Sequence, residues 1–283
     1  MCGSESIGGK VLKNEIVVVT DNTPGNSLSG EWGLSLLVKY NGKKVLVDAG
    51  ASDLFLKNMK GLGEAVEDVD FAVLSHAHYD HANGMVSFLN NNDKAKLYVR
   101  ESTSSDCYIK VLIVKKYIGI PRDLMDANAD RIEKVTGNYE LMEGISLIPH
   151  TTKNLSAIGK RESMYRKTSR GWEPDDFSHE QSVVIDTDKG LLIINSCSHG
   201  GVSNIVNEVK AAFPGKQIYG YIGGLHLFNK KKAEVETVVN ELELANLKFI
   251  CTGHCTGESA LAILDDKFGD KITKLHVGLR IDI

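Results

Sequence analysis

The sequence has no surplus of positive charge. Its 33 Lys and Arg stand against 37 Asp and Glu, a formal charge of −4. A protein that grips a nucleic-acid backbone usually carries a basic excess, so no nucleic-acid partner is expected. Long apolar runs are missing too: none approaches the roughly 20 residues that span a bilayer. The opening MCGSESIGGK has no apolar segment of the kind a secretory signal needs. No membrane partner is expected on these grounds. Cysteines number only five, an odd count in a chain of 283 residues. That is no disulfide framework, and a reduced, cytoplasmic setting follows as the expectation. There is no Walker loop and no dinucleotide-binding glycine fingerprint, so no nucleotide cofactor is assigned. Low-complexity stretches and solenoid repeats are absent as well.

What is present is ordinary for a globular protein: 42% apolar and 25% charged residues. The length suits two units of about 150 residues, or one α/β sandwich that absorbs the whole chain. Strand-like EIVVVT is followed by GLSLLVKY, the turn Asn41-Gly42, and KKVLVDAG. Asn-Gly between alternating apolar runs is a strong hairpin signal. An amphipathic ASDLFLKNMKGLG, a short buried DFAVLSH, a helical HANGMVSFLNN and a strand AKLYVR complete the first half. The second half repeats this grammar. QSVVIDTDKGLLIINSCSH reads as strand, turn, strand; helices then alternate with QIYGYIGG and KFICTGH. Such alternation is the α/β class. Residues 101–175 are less regular and read as an insertion or cap with its own helices and strands.

Three of the nine histidines fall within Ser75-His76-Ala77-His78-Tyr79-Asp80-His81, at the end of a short apolar strand. In extended backbone, residues two apart face the same side, so His76 and His78 are expected to ligate one metal. Asp80 and His81, where the helix begins, point elsewhere and suit a second metal. Imidazole and carboxylate together fit zinc, with manganese or iron as alternatives.

His-x-His-x-Asp-His after a strand resembles the signature of the metallo-β-lactamase superfamily. VLVDAG resembles that superfamily's early motif. EWGLSLLV, LSHAHYDHANG, NSCSHGGVSNIV, YIGGLHL and TGHCTGESA, spread over nearly the whole chain, resemble one branch. That branch is named after a dihydropterin-ribofuranosyl-aminobenzene phosphate synthase. The resemblance implies an αβ/βα sandwich, two mixed sheets flanked by helices, in a single domain over residues 1–283. It implies that Asp48 orients a metal-bound histidine. It also implies that the ligand set is completed from later strand ends, by His254 as the final histidine and by His179 before QSVVI as the third. Where the superfamily usually has a bridging aspartate, this chain has Cys197, with His199 two residues on. Either residue is a candidate substitute, or the site holds one metal only.

His226, after Gly223-Gly224, is a candidate ligand, proton donor or substrate contact. His150 and His276 read as structural. Cys251 and Cys255 lack the second pair that a structural zinc site needs.

The chemistry expected is hydrolysis of a small ester or phosphorylated substrate by a metal-bound hydroxide. Asp80 would orient the nucleophile, and His226 or His199 would protonate the leaving group. Lys160, Arg161, Ser163, Arg166 and Lys167 are candidates for clamping an anionic substrate. Trp172 is either a platform for a flat ring or a cap aromatic. Two other readings stay open: a pterin-related synthase or transferase using the same metal centre, and a non-enzymatic sensor. A homodimer is possible on this reading.

Overall fold

Alternation along each strand sets up the layers. In EIVVVT, Ile16 and Val18 join one apolar cluster, and Val17 and Val19 join another on the opposite face. Period-two alternation with both faces apolar demands cover on both sides.

The structure, a computed structural model, describes residues 13–25 and 27–283. The opening ten residues, on which the absence of a signal segment was argued, lie outside that range. The first half runs β1 (Glu15–Thr20), β2 (Ser35–Tyr40), β3 (Lys43–Val47), α1 (Leu54–Gly61), β4 (Phe71–Val73), α2 (Tyr79–Asn91) and β5 (Lys96–Arg100). The middle holds β6 (Cys107–Val111), β7 (Val114–Tyr117), α3 (Leu124–Ala127), β8 (Ile132–Val135), β9 (Tyr139–Met142), β10 (Ile145–Pro149), α4 (Ser156–Arg161), β11 (Met164–Thr168) and β12 (Gly171–Pro174). The remainder is β13 (Gln181–Thr187), β14 (Gly190–Ile194), α5 (Val202–Ala212), β15 (Ile218–Ile222), α6 (Lys232–Ala245), β16 (Phe249–Thr252), α7 (Glu258–Phe268), β17 (Ile272–Lys274) and β18 (Arg280–Asp282).

One seven-stranded sheet has the order β18-β1-β2-β3-β4-β5-β8, and a second has β17-β16-β15-β14-β13-β10-β9. Both mix parallel and antiparallel pairs. Their inner faces meet in one core, where Ile16, Val18, Val45 and Val47 join Val183, Ile185, Leu192 and Ile194. The outer face of the first sheet is covered by α1 and α2 through Phe55, Met59, Met85 and Phe88. The outer face of the second is covered by α5, α6 and α7 through Val206, Val239 and Leu264. The result is the expected sandwich of two mixed sheets flanked by helices. The Asn41-Gly42 turn has positive φ at both residues (48° and 77°), as a hairpin of right-handed twist requires.

The stretch 101–175 divides. Strands β6, β7, β11 and β12 form a separate four-stranded sheet, order β12-β11-β6-β7, while β8, β9 and β10 from its middle are strands of the two large sheets. No helix among the described residues is long and apolar enough to cross a membrane.

Candidate metal centre

The C-terminal ends of β3, β4, β14, β15 and β16 lie at one rim of the sandwich, and each is followed by a residue of the centre: Asp48, His76–His81, Cys197–His199, His226 and His254. Open α/β sheets place ligands outside the carboxyl ends of their strands for the same geometric reason.

Within the histidine motif the backbone is not extended as the sequence suggested. The amide of His78 donates to the carbonyl of His76 at 3.0 Å, a tight turn. This turn, rather than strand pleating, brings the two rings to 4.6 Å between centroids. Helix α2 then starts at Tyr79 and carries Asp80 and His81 in its first turn. Gly84 allows α2 to press onto the end of β3: a Cβ there would lie 2.1 Å from the Ala49 carbonyl.

Two groups of donor atoms form. His76, His78 and His199 make one, and Asp80, His81 and His254 the other. Cys197 lies between them, grouped with His76 and His81, its Sγ 3.2 Å from His81 Nε2. All seven residues are at least nine-tenths buried.

The hydrogen bonds fix which nitrogen faces inward. Asp48, fully buried, accepts from the Ser75 amide on Oδ1 (2.7 Å), and on Oδ2 from Ser75 Oγ (2.6 Å), Ser196 Oγ (2.6 Å) and His81 Nδ1 (2.8 Å). Ser75 Oγ has given its one proton to Asp48, so it accepts from His76 Nδ1 at 2.8 Å. His254 Nδ1 donates to Asn22 Oδ1 at 3.0 Å, and Asp21 accepts from the His254 amide at 3.1 Å. Each of these rings therefore turns its Nε2 toward the centre. His81 Nε2 and His254 Nε2 face each other at 3.2 Å, with Asp80 Oδ2 at 3.7 and 3.6 Å. Two lone pairs and a carboxylate at such distances repel unless a cation or proton sits among them. His76 Nε2, His78 Nε2 and both ring nitrogens of His199 are buried without a partner among the described residues. Buried polar atoms are rarely left so; a cation among them would engage one nitrogen of each ring.

The electrostatics agree. Burial, then neighbouring imidazoles, pushes His76 and His199 well below the usual histidine range; burial pushes His78 there too and His254 down to about 3. These rings are neutral, the form that binds a metal. Burial opposes protonation of His81 as well, but Asp80 and Asp48 outweigh it and lift His81 to about 9. It takes up the positive charge that the acids demand. Burial raises Cys197 well above the normal thiol value, and its hydrogen bond to Cys255 adds to this; the sulfurs are 3.5 Å apart. Burial opposes ionisation of Cys255 too, yet the bond from Cys197 and the potential of His254 bring it well below the usual thiol range.

Backbone strain concentrates here. Asp48, Ser198, His226 and His254 all have positive φ, between 47° and 60°. Such residues cost of order 1–3 kcal/mol each and persist where surrounding structure holds them. Gly223 is obligatory behind them: its φ is 138°, and a Cβ would lie 1.8 Å from the Asn195 carbonyl.

His179 differs from expectation. Its Nδ1 accepts from the Ala77 amide (3.1 Å) and its Nε2 faces Asp175 Oδ2 (3.2 Å), so both ring nitrogens are engaged by protein. It groups with His78, Cys107 and Asp175 rather than with His76. His199 is the histidine whose ring nitrogen groups with those of His76 and His78. His199 is held by a buried relay: its amide donates to Glu180 Oε2 (3.1 Å), and His150 bridges Glu180 (2.9 Å) and Glu208 (2.8 Å). Among the described residues, the hydrogen bond of the His276 ring is a local one, to the Val277 carbonyl.

A pocket of about 390 Å³ opens beside His199 and His226, walled by Ile158, Leu225, Glu162 and Lys230. Of the clamp candidates only Arg161 lines it. Arg166 is instead tied to Ser178, Ser102 and Ser104. Trp172 packs edge-on against Tyr108 in the small sheet. Among the aromatics at the centre, Phe177 stacks on the His199 ring at 5.2 Å, while Trp32, 5.2 Å from the His254 ring, and Phe228, 5.5 Å from His226, stand nearer the surface. The sequence reading missed all three, although Trp32 lies in the EWGLSLLV motif. It also missed Ser75, Ser196 and Asn22, which orient the rings; their position at strand ends was the available signal.

The family model of the metallo-beta-lactamase superfamily matches residues 33–215. The chain belongs to the metallo-beta-lactamase superfamily. Over 292 aligned residues it is 25% identical to the 7,8-dihydropterin-6-methyl-4-(beta-D-ribofuranosyl)-aminobenzene-5'-phosphate synthase of Methanocaldococcus jannaschii, covering 95% of this chain and 97% of that one. A crystal structure of a metal-dependent hydrolase of the beta-lactamase superfamily superposes with a TM-score of 0.83 at 28% identity, covering 95% and 99% of the two chains. Zinc-bound PqqB from Methylobacterium extorquens shares the fold at 11% identity, with a TM-score of 0.58 over 95% of this chain and 100% of that one.

Proposed function

We propose that this chain is a metal-dependent hydrolase of small ester or phosphoester substrates. His76, His78 and His199 would hold one ion and Asp80, His81 and His254 a second, with Cys197 between them in place of an aspartate. The observation that carries this reading is the set of buried, neutral imidazoles of His76, His78 and His199, whose nitrogens lack a partner among the described residues, next to the point where His81 Nε2, His254 Nε2 and Asp80 Oδ2 face one another. A nitrogen-rich set with one sulfur suits zinc, which would bind Cys197 as the thiolate and displace the proton that burial holds on it. A bound zinc polarises a substrate oxygen and makes a water-derived nucleophile available near neutral pH.

The chain's own residues do the rest. Asp48 and Asn22 hold the tautomers of His81 and His254. Asp80 Oδ2, facing both rings, is placed to orient the attacking oxygen. His226 Nδ1 is buried without a partner and borders the pocket; it would protonate the leaving group. Arg161 and Lys230 bring positive charge to that pocket, but Glu162, Glu234 and Glu241 line it too. The negative part of a substrate therefore belongs at the metal end, and a neutral or polar part in the pocket.

A second reading is condensation instead of hydrolysis, favoured by the full-length similarity to the archaeal synthase. One experiment addresses both: metal-loaded protein is given a phosphoester panel, and separately a dihydropterin diphosphate, whose diphosphate is the leaving group, with an aminobenzene ribofuranosyl phosphate. Turnover of the panel that disappears in His199→Ala supports hydrolysis. Coupled product without hydrolysis supports the second reading and removes the first.

A further inference from the structure

The small sheet carries features that the metal centre does not use. Its β6–β7 hairpin ends in Val111-Leu112-Ile113-Val114, four apolar residues exposed by 43, 88, 92 and 57%. A single exposed leucine is normal; four in a row at a loop tip are not. The strands behind the tip hold five cations (Lys110, Lys115, Lys116, Arg166, Lys167) and one acid, Glu173. Glu173 pairs with Arg170, and Arg166 with Asp176. Lys110, Lys115, Lys116 and Lys167 have no carboxylate partner among the described residues. Lys110 lies directly across from Lys115, an arrangement that destabilises a strand pair unless something negative approaches.

The strand register gives one face its character. Tyr108 opposes Tyr117 and Tyr165, and Lys167 opposes Trp172. With side chains alternating along each strand, these aromatics share a face with Lys110 and Lys115. Lys115 Nζ lies over the Trp172 ring at 4.6 Å and the Tyr165 ring at 5.4 Å. Trp172 itself is 44% exposed.

We propose that the β6–β7 hairpin docks on an anionic lipid surface, with Leu112 and Ile113 inserted among the acyl chains and the lysines of the sheet set against the headgroups. Apolar insertion plus several basic residues is the pairing of weak signals that reversible membrane attachment needs. A half-exposed Trp beside them suits the interface. The earlier expectation of no membrane partner rested on the lack of a spanning run, which says nothing of a surface contact. Two other occupants fit less well. A second copy pairing along the free edge of β7 would set Lys115 and Lys116 against their own images, a device that blocks strand pairing. A single-stranded nucleic acid needs open ring faces for stacking, and here lysines cover them; it also has no use for the apolar tip. The inference is independent of the reaction proposed above.

The test is co-sedimentation of the full chain with vesicles of phosphatidylcholine alone or mixed with phosphatidylglycerol, at low and high salt. Binding is expected only to the mixed vesicles, weakening with salt. Leu112→Ser with Ile113→Ser should weaken it by roughly tenfold or more, and Lys110→Ser by about fivefold. Both variants change exposed side chains and should keep wild-type metal content and solution turnover. Three results would overturn the proposal. One is wild-type protein that stays in the supernatant with mixed vesicles. Another is a solution dimer that the tip variant dissolves. The last is capture by single-stranded RNA but not by vesicles.

Discussion

Replacing Asp48 by Asn changes one atom in kind and tests how the second metal position is built. Oδ1 keeps its bond from the Ser75 amide. The other oxygen becomes an NH₂ group at the point where Ser75 Oγ, Ser196 Oγ and His81 Nδ1 all donate, at 2.6–2.8 Å. The two hydroxyls have rotational freedom; the imidazole has not. His81 relieves the clash by giving up the Nδ1 proton and keeping the one on Nε2, the nitrogen that faces His254 at 3.2 Å. That consumes the lone pair a metal would use. Loss of such an orienting partner typically costs 10–100-fold in metal affinity, and that loss is expected here. At least one buried donor is also left without an acceptor, so the metal-free protein should lose about 1–3 kcal/mol of stability. Competition with a chromophoric chelator measures the first quantity and urea unfolding the second. A variant that binds zinc as tightly as wild type, in a protein equally stable, refutes the idea that Asp48 sets the tautomer of His81.

His199→Ala should lose the ion bound with His76 and His78, whereas His179→Ala should keep full metal stoichiometry and lose about 3–5 kcal/mol of stability, because Asp175 is left buried and unpaired; elemental analysis and urea unfolding separate the two. Cys197→Ser should lower zinc affinity and shift preference toward harder ions, read by competing zinc and manganese titrations. His150 supplies a pH test. Burial opposes its protonation, but the bonds to Glu180 and Glu208 more than offset this and raise it to about 9. Its contribution is complete below the unfolded value of about 6.5 and is lost as pH rises through about 9, on the order of 3 kcal/mol in total. Unfolding free energies of the metal-free protein between those pH values should show the decline, and His150→Gln should make it shallower, leaving the part that His81 contributes.

Much of the layer structure was legible because local pattern and tertiary burial coincide. EIVVVT, GLSLLVKY and QSVVIDT alternate as two-faced strands, and Asn41-Gly42 fixes a hairpin. The histidine motif was legible because four ligand-type residues in six positions leave little room for another reading. The third histidine was not legible in the same way. His179 and His199 both sit near ends of β13 and β14, and only the tertiary path shows that His179 is spent on Ala77 and Asp175. Ser75, Ser196 and Asn22 were hidden because an orienting hydroxyl or amide has no spacing rule; it is defined by where a distant carboxylate or ring arrives. The small sheet escaped because its strands, four or five residues each, are mostly polar and give no clear period.

The most direct test of the account is anomalous diffraction at the zinc edge from crystals of the zinc-loaded protein. The account predicts one peak among His76, His78 and His199 and a second among Asp80, His81 and His254, with Cys197 Sγ within bonding distance of at least one. No peak at these places, or a peak held by His179, Asp175 and Cys107 in their stead, would contradict it.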